Sequence, residues 1–432
     1  MRSRMNHTVC AAEVHDLAGG ILRQCLQLKD HGPQCTIRNL LLVLFFAAAR
    51  AGSIFDACRR LRNAPTDQAI RNALVAQLPE MGELERRLNQ ALAAQLPKGL
   101  FRNRRPMAID LSEICYYGQP FEREGELRRG KRKQGTSRFH CYATLYVVRH
   151  GERFTVAMTY VWKGDSHVAV VRRLLQRARS LGLRPRYLLL DRGFYGVEVA
   201  RYLKSVRCPF LMPVAHRGRK SKRPLEQLKS TRRFLAWKKS GFATHEMKNP
   251  KEQTSVRICV RHIPRRGRHK QRTLVFAFWG LRPSSPAWAA QAYRRRYGIE
   301  TSYRQMNQGR IRTCTRNPRV RLLLVGIALI LRNVWVWLHR VVFGRTRGRG
   351  IELHLELLRL RTMLLLLQRC AENWFGCTES WQDPIGQAFA APFTYEVELE
   401  LLKFEIRMTK GSCRGSSADR SKNEVQLLCF FP

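Results

Sequence analysis

The chain has 432 residues, long enough to bury a sizeable core and to divide into two or three domains without disulfide or metal staples. Its 79 lysines and arginines against 32 acids leave a formal net charge of +47, an excess that repels itself unless a polyanion neutralises it, so nucleic acid is the expected partner. Thirteen cysteines are scattered with no Cys-x2-Cys pair, which argues against a zinc ribbon or a dithiol redox motif and for reduced thiols.

The N-terminus, Met1-Arg2-Ser3-Arg4-Met5-Asn6-His7, is not followed by an apolar run of signal-peptide type. The protein is therefore expected in the cytoplasm, on the nucleoid when bound to DNA. Cys10, His15, Cys25, His31 and Cys35 lie near one another in sequence, but their spacing fits no common zinc module. Residues 36–95 read as wholly helical. Thr36 can cap the apolar run Leu40 to Ala49, Ala64-Pro65-Thr66-Asp67 makes a break, and Ala69 to Leu78 begins a new periodic segment. Short helices around tight turns suit a helix-turn-helix presenting Arg59, Arg60, Arg62, Arg71 and Arg86 to phosphate, and equally a plain helical bundle. Residues 1–100 are taken as a helical, DNA-binding domain.

From Met107 the period changes. Met107 to Tyr117, His140 to His150 and Phe154 to Trp162 read as three strands, the last two joined at Gly151-Glu152-Arg153. Helix Ser166 to Leu181, strand Tyr187 to Asp191, helix Val197 to Val206 and strand Pro209 to Val214 follow. Three antiparallel strands, then alternating helix and strand, is the order of an RNase H-like α/β domain. The pattern breaks at His216-Arg217-Gly218-Arg219-Lys220-Ser221-Lys222-Arg223, and strand-like runs Val256 to Val260 and Thr273 to Trp279 mark a β-rich insertion. Helix Trp288 to Gln308 carries Gly298 as a helix-weakening residue, and apolar helix Val320 to His339 closes the core.

The two apolar runs, Leu40 to Ala49 and Leu322 to Leu331, fall well below the ~20 residues needed to cross a bilayer and read as buried core helices, with no membrane partner. Arg345-Thr346-Arg347-Gly348-Arg349-Gly350 reads as a flexible basic linker, residues 351–374 as a leucine-rich helix, and Thr409 to Pro432 as a disordered tail. The expected domains are 1–100, a core in two parts (101–215 and 285–344), the insertion 216–284, and a C-terminal region 345–432.

Three carboxylates stand out in this basic chain. Asp110 ends Met107-Ala108-Ile109-Asp110, Asp191 ends Leu188-Leu189-Leu190-Asp191, and Glu300 lies in Tyr293-Arg294-Arg295-Arg296-Tyr297-Gly298-Ile299-Glu300. A buried, unpaired carboxylate in an apolar strand costs several kcal/mol, which a metal or an arginine partner removes. Hard divalent cations take oxygen ligands and complete their shell with phosphate and water. Three acids suffice for two ions, which together activate an attacking oxygen and stabilise a leaving one in phosphoryl transfer. Glu113 falls on the opposite strand face from Asp110 and reads as exposed or paired with a cation. Asp165 reads as a helix cap, His167 as first-turn filler, and Trp237 and Trp279 as packing residues rather than platforms for an extruded base.

These residues resemble the DDE transposases of bacterial insertion sequences, which carry a Y-x2-R-x3-E-x6-K signature around the third acid of an RNase H-like domain. Tyr293, Arg296 and Glu300 match its first three positions, and Asp-Arg-Gly-Phe-Tyr at 191–195 matches the usual setting of the second acid. The fourth position departs: Asn307 stands where the family has lysine, and Arg304 and Arg310 are the nearest cations. The resemblance covers about residues 100–340. It implies that Asp110, Asp191 and Glu300 are catalytic and hold two Mg²⁺ ions, with Mn²⁺ as substitute, and that Tyr293, Arg296, Arg304 and Arg310 contact DNA. The basic residues Arg217, Arg219, Lys220, Lys222 and Arg223 join them as expected phosphate contacts. The implied function is binding of double-stranded terminal repeats, cleavage, and strand transfer to target DNA by a homodimer on paired ends. A nuclease of the same fold that does not transpose, and an inactive transposase-derived DNA-binding protein, are the alternatives.

Overall fold

In the computed structural model of the chain, the described residues are 9–149, 153–216, 230–264, 271–347, 350–352, 354, 356–378, 381–382 and 388–389. Six helices come first: α1 (Ala11–Leu26), α2 (Ile37–Ala49), α3 (Ile54–Arg60), α4 (Asp67–Gln77), α5 (Met81–Ala93) and α6 (Lys98–Arg102). Hydroxyl caps start three of them: Thr36 Oγ1 accepts from Asn39 N at 3.2 Å, Ser53 Oγ from Asp56 N at 3.0 Å, and Thr66 Oγ1 from Ala69 N at 3.2 Å. Each supplies an acceptor that the first helical turn lacks. Residues Leu40 to Ala49 of α2 are all buried, as its unbroken apolar character requires. On this layer Arg60, Arg71 and Arg86 each pair with a carboxylate of their own helix, Asp56, Asp67 and Glu83, at 2.9, 2.9 and 2.6 Å.

Among the described residues nine strands form one sheet: β1 (Arg105–Tyr116), β2 (Arg128–Lys133), β3 (Thr136–Val147), β4 (Thr155–Val161), β5 (Pro185–Leu190), β6 (Phe210–Pro213), β7 (Gly241–Lys248), β8 (Gln253–Ile263) and β9 (Arg272–Trp279). The run β4-β3-β1-β5-β6, antiparallel as far as β1 and parallel from β1 to β6, is the RNase H-like core. The expected mixed α/β fold with a helical N-terminal part is therefore present. The insertion is not a layer of its own: β9 pairs antiparallel with β6, and β8 and β7 follow outward. Sequence patterning finds neither β2, Arg-Arg-Gly-Lys-Arg-Lys, nor β7. Both are edge strands, where polar residues guard against unwanted pairing and erase the apolar alternation.

Helices α7 (His167–Ser180), α8 (Val197–Ser205), α9 (Pro286–Arg294), α10 (Gly298–Gln308), α11 (Pro318–Val341) and α12 (Leu360–Phe375) complete the fold. Helix α7 packs on β4 and β3, α9 on β6, β8 and β9, and α10 between β1 and α11. Ser166, not Asp165, caps α7, through Ala169 N at 3.2 Å. Asp165 instead grips Arg173 at 2.6 and 2.9 Å and accepts from Trp162 N, a partner eight residues away that spacing alone does not reveal. Helix α11 is long and apolar enough to cross a membrane, but 94% of its apolar window is buried in the protein, so it is a core helix.

The stretch taken as a flexible basic linker is a hairpin, β10 (Arg345–Arg347) paired with β11 (Gly350–Glu352). The leucine-rich helix starts later than its composition suggests, at Leu360, and α12 packs on α1 and α2. Trp335 Nε1 and His339 Nε2 both donate to Leu358 O, at 2.8 and 2.6 Å, and fix the chain just before it. Beyond Cys377 a short pairing joins β12 (Trp381–Gln382) to β13 (Ala388–Phe389). The tail from Thr409 lies outside the described residues.

Candidate active site

The site begins with a register. Strands β1 and β5 run parallel with Ile109 opposite Leu190, so the next residue on each, Asp110 and Asp191, falls at the same level although the two are far apart in sequence. Asp110 is still inside β1, paired across to Thr144, and its side chain is 16% exposed. Asp191 has left β5, caps the 3-10 turn Arg192–Phe194, and is 47% exposed.

Between them lies Arg296. Its Nη2 is 2.9 Å from Asp110 Oδ1 and 3.6 Å from Asp191 Oδ1, and its side chain is 7% exposed. The guanidinium reaches this point because the segment read as one helix, Trp288 to Gln308, is two. A 3-10 turn, Arg295–Tyr297, separates α9 from α10 and turns Arg296 inward, a local tightening of the kind found at functional breaks in helices. The spacing of Arg296 and Glu300 also admits a surface ion pair between them; instead Arg296 is buried on the two aspartates. Tyr146 donates to its carbonyl at 3.3 Å, and the Tyr293 ring centre lies 5.8 Å from its guanidinium.

Glu300 is exposed, one turn beyond Arg296 on α10. Burial pushes the Asp110 carboxyl up to about 6; Arg296 and the Leu111 N–H pull it back, and Asp191 and Glu300 add to the rise as like charges. Arg296 loses from burial but gains more from Asp110, Tyr293 and Asp191, and stays firmly protonated. The three acids thus share one electrostatic neighbourhood. Among the described residues, however, no three His, Cys, Asp or Glu side chains are placed to hold a metal together.

Tyr303 is the residue that sequence reasoning missed. Its hydroxyl lies 2.7 Å from Thr144 Oγ1 and donates to Asp110 O at 3.1 Å, tying α10 to β1 one turn after Glu300. The i,i+3 spacing from Glu300 was its only signal. Burial holds both Tyr303 and Tyr293 far above the ordinary phenol range, so both remain protonated donors. Gly298, at the start of α10, has a steric reason: a Cβ there would lie 3.0 to 3.3 Å from the Arg153 guanidinium.

Other candidates fall as follows. Arg304 is exposed; Arg310 is half-buried, its Nε donating to Asn307 Oδ1 at 3.2 Å. Arg217, Arg219, Lys220, Lys222 and Arg223 lie outside the described residues. Glu113 pairs with Lys133 at 2.7 Å, His167 packs edge-on against Phe194, and Trp237 against Phe234. Trp279 is half-buried against the core.

The sheet run β4-β3-β1-β5-β6 with its packed helices is an RNase H-like mixed α/β fold, and it places Asp110 on the first core strand, Asp191 after the neighbouring parallel strand and Glu300 on a later helix packed on that first strand. The transposase DDE domain family matches residues 106–334, just over half of the chain, and the chain belongs to this family. Among solved structures it is similar to piggyBac transposase, determined by cryo-EM as a synaptic complex with hairpin DNA, at 11% identity and a TM-score of 0.54 over 98% of this chain and 89% of that one. At that identity the likeness is one of fold. No curated protein sequence matches the chain.

Proposed function

We propose that this transposase serves a bacterial insertion sequence: it binds double-stranded terminal repeats, cleaves the DNA there, and joins the free 3′ hydroxyls to target DNA as a homodimer on paired ends in the cytoplasm. The observation that carries the reading is the meeting of Asp110 and Asp191 across the β1–β5 register, with Arg296 between them and Glu300 one turn on.

Asp110, Asp191 and Glu300 are the residues that would hold two Mg²⁺ ions, or Mn²⁺ in their place. They are all hard oxygen donors, and a half-compensated pair of aspartates at the edge of burial is a place that favours a divalent cation. Bound there, such ions supply Lewis-acid stabilisation of phosphate oxygens. The protein's own groups set the geometry. Tyr303 and Thr144 fix the strand at Asp110 relative to α10. Arg296 reaches both aspartates through Nη2, and its Nε is buried with no partner among the described residues. Such an orphan donor calls for an acceptor, and a phosphate oxygen matches the guanidinium fork. Tyr293 walls the same side, Arg304 and Arg310 add cations to the phosphate path, and Arg217, Arg219, Lys220, Lys222 and Arg223 remain expected phosphate contacts from their composition.

The test replaces Asp110, Asp191 or Glu300 by alanine and measures end-DNA binding by gel shift beside Mn²⁺-dependent cleavage. Cleavage is expected to fall at least a thousand-fold, by roughly 4 kcal/mol of lost transition-state stabilisation, with binding nearly unchanged because phosphate contacts elsewhere dominate affinity. Cleavage near the wild-type rate in Asp191→Ala would refute the assignment.

A further inference from the structure

Past the acids the sheet continues as an arm. Strand β5 stops at Leu190 opposite Ile109, but β1 goes on for six residues beyond Asp110, paired with β3 as far as Tyr116 opposite Arg138. The β1–β3 ladder therefore runs out past the carboxyl ends of the parallel strands, the edge at which open α/β sheets present their ligands. Strand β2 pairs with the outer part of β3, and five of its six residues are cations: Arg128, Arg129, Lys131, Arg132 and Lys133.

The arm is built to hold its shape. Lys133 and Thr136 close a two-residue turn, Gln134-Gly135, with φ of 47° and 85°, the doubly positive form whose twist suits paired strands. The Tyr117 hydroxyl donates to Gln134 O at 2.6 Å, Thr136 Oγ1 to Tyr116 O at 2.7 Å and Arg132 Nε to Gly135 O at 3.1 Å. At the base, Glu126 accepts from the N–H groups of Phe121, Glu122 and Arg123 at 2.7, 3.0 and 3.1 Å. Between Arg129 opposite Arg138 and Lys133 opposite Thr136, β2 has three residues where β3 has only Ser137. This bulge starts at Gly130, where a Cβ would lie 3.2 Å from the Phe139 ring. It takes Lys131 and Arg132 out of the ladder, and both are exposed.

Charge and bulges also protect a sheet edge from unwanted pairing. Protection alone, however, gives no reason for a braced arm of one sign of charge to stand beside three acids. Carboxylates do answer part of that charge: Glu113 grips Lys133 at 2.7 Å, and Lys163, helped by Arg129 and Arg138, holds the Glu124 carboxyl below its usual range.

We propose that this arm is a β-ribbon that lies along the backbone of the bound duplex, with Lys131 and Arg132 on its phosphates. The proposal rests on the reading of the chain as a DNA-acting transposase and adds where the duplex runs once it leaves Asp110 and Asp191. Six residues of β3 separate Thr144, opposite Asp110, from Arg138, opposite Arg129, about 20 Å of strand or roughly six base-pair rises. Contacts of this kind hold a duplex in place without reading its sequence.

The experiment titrates salt against the binding of a duplex of about 30 base pairs of arbitrary sequence to the full-length chain. Lys131→Ala/Arg132→Ala removes two phosphate contacts and lowers the slope of log K against log salt by about 1.8. Lys131→Arg/Arg132→Lys keeps both charges while changing the Arg132 bond to the turn, and keeps most of the slope. Arg184→Ala/Arg186→Ala makes the same loss of charge at exposed residues by the opposite, amino end of β5, and leaves the slope unchanged. Thermal unfolding of each variant verifies its fold. A wild-type slope in the Lys131/Arg132 alanine pair, or an equal fall in the Arg184/Arg186 pair, overturns the arm while the DNA reading stands. Absence of salt-dependent binding by the wild type overturns both.

Discussion

Arg296 and Arg332 flank α10 and are both withdrawn from water, at 6% and 1% exposure, yet the groups around them differ in kind. Arg296 faces two carboxylates. Arg332, from α11, faces neutral oxygens: Nη1 donates to Arg153 O at 2.6 Å, Nη2 to Ser302 Oγ at 2.9 Å and Nε to Gln305 Oε1 at 3.2 Å. Burial accordingly lowers the Arg332 pKa to about 10, partly offset by Tyr146 and furthered by Arg153, whereas Arg296 is held up by its acids. All three guanidinium nitrogens of Arg332 are satisfied by protein; Arg296 keeps an orphan Nε. One arginine is a finished structural joint between α10, α11 and the chain at Arg153. The other leaves a buried donor unmatched beside two carboxylates, the place proposed above for a divalent cation and a phosphate oxygen.

The largest effect expected from this contrast is on folding. Arg332→Ala leaves the Arg153 carbonyl and the Gln305 amide without their buried donor and opens a cavity, a loss of about 3 to 5 kcal/mol read by urea or thermal denaturation. Arg296→Ala is expected to cost less, about 1 to 3 kcal/mol, because Asp110 can take a proton or a cation in its place. Mn²⁺ should therefore raise the Tm of Arg296→Ala by more than it raises that of wild type, and should not rescue Arg332→Ala. Equal Mn²⁺ shifts in all three proteins would erase the distinction.

The part of this contrast that was legible in the sequence follows from local rules. Asp110, Asp191 and Glu300 stood out because each interrupts an apolar or basic run, and the α11 run showed itself as core by its length. Arg332, the residue just after that run, gives no signal of its role in sequence, since its three acceptors come from Arg153, Ser302 and Gln305, which no spacing connects. The 3-10 turn at Arg295–Tyr297 was hidden for a related reason: its residues have ordinary helical patterning, and only the tertiary pull of Asp110 and Asp191 on Arg296 shows why it is there. Edge strands β2 and β7 were hidden by polar composition, whereas β3, β4 and β5, largely buried, and β1, buried at Met107 to Ile109, declared themselves.

His140 extends the comparison to a buried group that can discard its charge. Its Nδ1 lies 2.8 Å from the Tyr160 hydroxyl, which itself donates to Glu126 O at 2.6 Å, so Nδ1 must be the donor and Nε2 stays bare, with no partner among the described residues. Tyr116 packs on the ring at 4.7 Å, and burial, with Arg321 nearby, pushes the pKa down to about 3. The unfolded chain therefore takes up this proton first. Stability present above the ordinary histidine pKa near 6.5 is lost as pH falls toward 3, by up to about 1.4 kcal/mol per pH unit. His140→Gln should flatten the curve between pH 6.5 and 4.5 relative to wild type, in denaturation measured across that window. His216, His245 and His339 are shifted the same way by burial, so the difference between the two proteins, not the wild-type curve alone, reports on His140. Parallel curves would show that this ring is not held neutral.

The smallest effect concerns Gly298, which sits between the two arginines at the first position of α10. Its backbone is ordinary right-handed helix, φ −59° and ψ −21°, so a side chain there meets no torsional strain. Alanine would gain up to about 1 kcal/mol of helix propensity. Against this, the new Cβ lies 3.0 Å from Arg153 Cζ and 3.1 Å from its Nε. These atoms are the far end of a long side chain, and the hydrogen bond from Arg332 goes to the Arg153 backbone, which need not move. The two effects should nearly cancel, leaving stability within about 0.5 kcal/mol of wild type, as for substitutions that touch no buried network. A stability loss above about 2 kcal/mol would mean that Arg153 is locked in place, and the Arg332 joint would then include its side chain as well as its carbonyl.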